Sequence, residues 1–295
     1  MEFIKTATWA TLSALIALAA VSGGVYGITG TYQPNSTPYV GVVVLFSDTA
    51  RTNAIGYCSG VLISSTIMLT AGHSTFGVAA VSVCFDKGPI HYTIVDGKIV
   101  YPSNEVIYTG TPITYPEYAQ NVMAGLTKGN QAYSSSDIGL IILDTPVKEV
   151  TAFPSLPPAG FTDALPAKSN LQVIGYGAQF QLTPKNNGVV NSWTGTLSCN
   201  SAQTQLIPSN FAGSDKYLKL TANPSQGKGG VAFGDSGGPV IYNANSDSQD
   251  MVLAVNAYVA NSNCAGVTYH TRIDSASILG WIDNCLNTET LRNHL

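Results

Sequence analysis

The chain is poor in charge. Of its 295 residues only 10% are Asp, Glu, Lys or Arg, and 13 basic against 17 acidic residues leave a formal net charge of −4. No basic run occurs anywhere, which excludes an electrostatic surface for nucleic acid or anionic membrane. Low net charge combined with 45% hydrophobic residues also excludes a disordered chain. There is no Cys-x-x-Cys, no Cys/His cluster at metal-ligand spacing and no EF-hand-like loop, so neither a metal nor any other cofactor is implied. Heptads, collagen-like triplets and fixed-period repeats are absent. Strand–helix alternation is missing too, which disfavours a doubly wound α/β fold.

Long apolar runs are equally scarce. Beyond the N-terminus no segment reaches about eighteen uninterrupted apolar residues, so no membrane span is expected after the leader. Residues 1–27 read as a secretory signal peptide with room for a short propeptide. Lys5 supplies a weak basic start, Ala10–Val21 an apolar stretch too short to cross a bilayer, and Ser22, Gly23, Gly24 and Gly27 small residues for cleavage. Five cysteines, Cys58, Cys84, Cys199, Cys264 and Cys285, fit the oxidising compartment that secretion implies, and their odd number leaves one unmatched.

What is present is turn-rich and β-forming. With 29 Gly, 15 Pro and 15 Tyr, short Val/Ile/Tyr-rich runs recur between turn signals. They include Val40–Phe46, Gly60–Ser64, Ile67–Thr70, Val78–Phe85, Ile138–Leu143, Leu171–Tyr176, Val240–Tyr242 and Met251–Tyr258. This predicts an all-β protein. Pro154, Pro157, Pro158 and Pro166 mark a crossing between two strand-rich halves, 28–155 and 156–295. The stretch Pro102–Ser136 reads as long surface loops. One helix is expected at the C-terminus, capped by Asp274, with Ile278, Leu279, Ile282 and Leu286 at helical spacing.

Three motifs carry the chemistry. Leu69-Thr70-Ala71-Gly72-His73 ends a strand, Asp137 leads into Ile138–Leu143, and Gly234-Asp235-Ser236-Gly237-Gly238-Pro239 forms a glycine-rich turn. A serine hydroxyl is a weak nucleophile until a base takes its proton, and neutral imidazole does so near pH 7. The imidazole in turn needs a carboxylate to fix its tautomer and offset its developing charge. His73, Asp137 and Ser236 supply these parts. Backbone N–H groups of Gly234 and Ser236 can receive the oxyanion, and Asp235 is suited to holding a free α-amino group.

Taken with their order and surroundings, these motifs resemble the chymotrypsin/trypsin-like serine endopeptidases, a secreted microbial trypsin-like subgroup in particular. Tyr57-Cys58-Ser59-Gly60-Val61-Leu62-Ile63 stands at the family's distance before His73, Ile28-Thr29-Gly30 resembles its mature N-terminus, and Thr271-Arg272-Ile273 its last strand. The resemblance covers roughly 28–287. It implies two packed antiparallel six-stranded β-barrels with a C-terminal helix, and secreted, monomeric hydrolysis of protein or peptide substrates. It also implies an activation pair, Ile28 with Asp235, formed when the chain is cut before Ile28.

Departures from the family matter as much. Ser74 replaces the cysteine that follows the histidine, so Cys58 lacks its usual partner, and Cys84 is the possible substitute. Ala232 replaces the cysteine that would meet Cys264. Gly230 stands where trypsin-like enzymes carry the pocket Asp, so cleavage after Arg or Lys is not expected. The resemblance places Gly230, Val231, Asn256, Ala257, Tyr258 and Thr268 around the substrate, with His270 on the far pocket wall, and favours a small or medium apolar side chain. The alternative is a non-catalytic binding protein on the same scaffold, which the lost disulfides beside the histidine and pocket keep open.

Overall fold

Val42, Val43 and Val44 place three β-branched side chains in succession, a pattern that suits a strand buried on both faces. In a computed structural model they lie at the centre of a closed barrel. The structure describes residues 28–91, 93–95, 98–100, 105–127, 135–182, 192–194, 197–208, 213–243, 249–261 and 264–292. The leader reading of 1–27 falls outside them. No helix among the described residues is long and apolar enough to cross a membrane.

Two short strands come first, β1 (Thr29–Gly30) and β2 (Gln33–Pro34). The barrel follows: β3 (Val40–Phe46), β4 (Ala54–Leu62), β5 (Ile67–Thr70), β6 (Ala80–Cys84), then, after the hairpin β7 (Thr93–Val95) and β8 (Lys98–Val100), β9 (Ile107–Thr114) and β10 (Gly139–Leu143). Its order is β10-β5-β4-β3-β6-β9, closed by β9 pairing with β10. The loops expected over Pro102–Ser136 are thus partly regular. They contain β9 and the helix α1 (Pro116–Met123), started by a proline whose missing N–H costs nothing there. Pro112 and the polar threonines hide β9 from a hydrophobic-pattern reading.

The second half contains β11 (Asn170–Gly175), the hairpin β12 (Phe180–Leu182) and β13 (Ser192–Thr194), β14 (Asn200–Gln205), β15 (Tyr217–Ala222), β16 (Gly229–Gly230), β17 (Pro239–Tyr242), β18 (Met251–Val259) and β19 (Gly266–Arg272). Its main sheet runs β15-β19-β18-β17-β11-β14-β2, a half-barrel that borrows β2 from the N-terminus. Between β14 and β15 the ring is joined, among the described residues, by a Leu206–Leu220 bridge, the hydrogen bond from Ile207 N–H to Lys219 O (2.9 Å) and that from Thr204 Oγ1 to Thr221 O (2.5 Å). β1 pairs with β16, so the N-terminal residues belong to this half by pairing.

The C-terminal helix α2 (Ala276–Arg292) returns to the first barrel. Ile278 and Ile282 are buried in the same core as Val43 and Leu69, and Trp281 packs edge-on to Tyr115 at 5.2 Å. Asp274 does not cap it. Ser275 Oγ accepts from Ile278 N–H, while Arg272 and Thr162 engage both oxygens of the buried Asp274 carboxylate.

The Cys58–Cys84 disulfide is not formed, and no disulfide is present among the described residues. Strand β3 lies between the two: Val43 faces Cys58 and Val42 faces Cys84. Two strand spacings come to about 9–10 Å, beyond disulfide reach. Adjacent residues of β3 also point to opposite faces, and their partners with them. Counting strands in chain order misses this, because the second neighbour in sequence is not the neighbour in space.

Candidate active site

The site lies where the two halves meet. His73 sits on a single 3-10 turn, Gly72–Ser74, directly after β5, and Asp137 directly precedes β10, the strand paired with β5. Register therefore brings the two together. His73 Nδ1 lies 2.7 Å from Asp137 Oδ2, and the His73 backbone N–H donates to Asp137 Oδ1 at 2.7 Å. Asp137 is buried, whereas the His73 side chain is 37% exposed. Burial alone would pull the imidazole pKa down. The Asp137 charge and the hydrogen bond to it outweigh that and hold His73 above its ordinary value.

The segment before Asp137 is pinned from outside. Glu117 of α1 forms an ion pair with Lys216, Ser136 Oγ donates to Glu117, and Tyr217 Oη donates to Ser135 O at 2.8 Å. Sequence reading missed this brace, since its members come from three separate stretches.

Ser236 lies in the turn between β16 and β17, flanked by Gly234 and Gly237 at φ +96° and +80°, a region only glycine enters without strain. The first barrel grips this turn. Ser59 N–H donates to Ser236 O (2.8 Å), Ser59 Oγ donates to Gly234 O (2.9 Å), and Thr70 Oγ1 donates to Ser59 O (2.9 Å). Neither the Gly234 nor the Ser236 N–H is taken by a protein acceptor among the described residues, so both are available to an oxyanion. No hydrogen bond joins Ser236 Oγ to His73 there, a leg that commonly tightens only when substrate binds.

His73 and Ser236 share the wall of a cavity of about 460 Å³ with Val231, Asn256, Ala257 and Tyr258. Gly230 and Thr268 lie behind that wall: Gly230 is in β16 against Ala222, and Thr268 is fully buried. Ala232, Phe233, Val259 and Asn261 complete the lining and were not anticipated, although each adjoins an anticipated segment. Phe233 is 53% exposed.

Asp235 is fully buried. Its oxygens accept from Gly177 N–H and Ala232 N–H, each at 2.8 Å, and no cation pairs with it among the described residues. Burial pushes its pKa up to about 7, against the two N–H bonds, which lower it. Ile28 is also fully buried, and its φ of +71° is strained for a β-branched residue.

The fold is shared with chymotrypsin-like serine proteases. One is HL collagenase, 16% identical, with a TM-score of 0.60 over 89% of this chain and 99% of that one. A mutant of human heparin-binding protein also has this fold, 15% identical, with a TM-score of 0.59 over 89% of this chain and 97% of that one. No curated protein sequence matches the chain. The trypsin family model matches residues 28–282. The chain belongs to the trypsin family.

Proposed function

We propose that the protein is a secreted serine endopeptidase that works through His73, Asp137 and Ser236. The observation that carries this reading is the doubly bonded His73–Asp137 pair on the rim of the cavity that Ser236 lines. Ser236 Oγ attacks the substrate carbonyl carbon as His73 Nε2 takes its proton, with Asp137 supporting the imidazolium. The N–H groups of Gly234 and Ser236 stabilise the oxyanion. Collapse breaks the C–N bond and His73 protonates the departing amine. Water, activated by His73, then hydrolyses the acyl-enzyme and restores Ser236.

Val231, Ala232, Ala257 and Val259 make the cavity largely apolar, which supports a small or medium apolar side chain before the scissile bond. Cutting before Ile28 would abolish the strained φ and supply an ammonium for the buried Asp235 carboxylate, which supports activation at that bond. The reading is tested by incubating protein beginning at Ile28 with a defined peptide mixture and identifying products by mass spectrometry. Cleavage after apolar residues, absent in Ser236→Ala, is expected. No cleavage by the folded, correctly processed protein would favour a binding role.

A further inference from the structure

The proposed reaction leaves one buried histidine unused. His270 on β19 lies directly opposite Asn256 on β18, and both are fully buried. The register shifts by one residue between Asn256 and Tyr258, an irregularity that re-aims side chains where strands flank a site.

Asn256 is tied to the serine turn through its backbone and its side chain. Its N–H donates to Gly238 O (2.8 Å) and its carbonyl accepts from Gly237 N–H (2.7 Å). Its side-chain Nδ2 donates to Asp235 O (3.1 Å) and to Ile174 O (3.2 Å). Both amide hydrogens are therefore spent on carbonyl oxygens, which only accept. This fixes the orientation of the amide, because the flipped form would set its oxygen against two others. Oδ1 is left facing His270 Nδ1 at 2.9 Å. An amide oxygen cannot donate, so Nδ1 carries the proton. Nε2 of the neutral ring must then accept, and the Thr268 hydroxyl, 2.7 Å away, donates to it.

We infer that His270 is a positioning residue for the serine turn, acting through Asn256. Thr268 sets the ring, the ring's Nδ1–H holds Asn256 Oδ1, and the Asn256 amide holds the carbonyl of Asp235, the residue before the proposed nucleophile. Burial keeps the ring neutral, with a pKa lowered to about 3, so this donor pattern persists at working pH. The inference rests on the nucleophile reading of Ser236.

The test compares fluorophosphonate labelling rates of Ser236 in folded protein beginning at Ile28, as wild type, His270→Asn and His270→Gln. Asparagine places an N–H where Nδ1 was, whereas the glutamine amide reaches the Nε2 position and misses Asn256. The expected order is His270→Asn within about threefold of wild type and His270→Gln slower by about 10- to 100-fold, the scale of loss from small misplacements of reacting groups. A packing role predicts the reverse, because glutamine fills more of the space left by histidine. Equal rates, or the faster rate in His270→Gln, would overturn the inference while leaving the nucleophile in place. No labelling of wild type would overturn both. Nitrogen-15 spectra of wild type at pH 7 decide the matter even where the variants misfold: an Nδ1–H tautomer is expected, and an Nε2–H tautomer overturns the inference.

Discussion

His73 offers Asp137 two hydrogen bonds, one from the ring nitrogen Nδ1 and one from its own backbone N–H, each 2.7 Å long. The carboxylate thus fixes both where the imidazole sits and which nitrogen keeps a proton. It also raises the pKa of the ring. The stability this pair contributes is present below histidine's ordinary pKa and lost as pH rises through the raised one. Activity runs the other way, because a general base must be neutral. The acid limb of kcat/KM is expected above histidine's usual 6.5. Asp137→Asn should move that limb down and lower kcat on the order of 10⁴-fold. A pH–rate profile of both proteins checks this.

Asp235 gives the same sign for stability, for a different reason: burial rather than a charged partner raises its pKa. In the uncut chain its pKa is about 7 against an ordinary 3.8, so the native state holds a proton that the unfolded state releases. Stability should therefore fall as pH rises between those values, by up to roughly 4 kcal/mol. In protein beginning at Ile28 the new ammonium should lower that pKa and remove the loss. Urea unfolding of the two forms at pH 5 and pH 8 measures the difference.

Gly230→Asp is expected to fail as a route to Arg or Lys cleavage. A Cβ at this position would lie 2.3 Å from Ala222 Cβ, and Gly230 does not line the cavity. The variant should lose about 1–3 kcal/mol to overpacking and gain no basic preference in a peptide library.

Gly237→Ala should be far more damaging than an average surface change. Its φ is +80°, and a Cβ would lie 2.0 Å from Thr70 Oγ1 and 2.5 Å from Ser59 O. A loss of about 3 kcal/mol or more, with activity falling in parallel, is expected from strain and clash together. Thermal unfolding measures it.

Cys58 and Cys84 should both react with an alkylating agent in denaturant without prior reduction, because neither is bonded to the other. Peptide mapping by mass spectrometry checks this directly. A Cys58–Cys84 linked peptide would contradict the strand order described here.

Much of this architecture was legible from residues alone. Val40–Phe46 and Ile67–Thr70 form strands at the expected bounds, since their apolar residues are continuous and turns flank them. The trypsin-family resemblance and the first barrel were legible for the same reason: their signals are local. What failed to show was non-local. Asp274 stands one residue before the capping Ser275, and Arg272 and Thr162 claim its carboxylate. The half-barrel of the second half is joined across its seam by a Leu206–Leu220 bridge and two hydrogen bonds, which no pattern in either segment announces. Phe233 and Asn261 line the cavity because of how β18 and the serine turn approach each other, a consequence of packing rather than of motif.

The proposed mechanism stands or falls on Ser236 being an activated nucleophile. Intact-mass analysis of protein beginning at Ile28, after exposure to a fluorophosphonate, tests it most directly. One adduct is expected, mapped to Ser236, absent in Ser236→Ala and much slower to form in His73→Ala. Folded wild-type protein that takes up no adduct, or takes it up elsewhere, would contradict it.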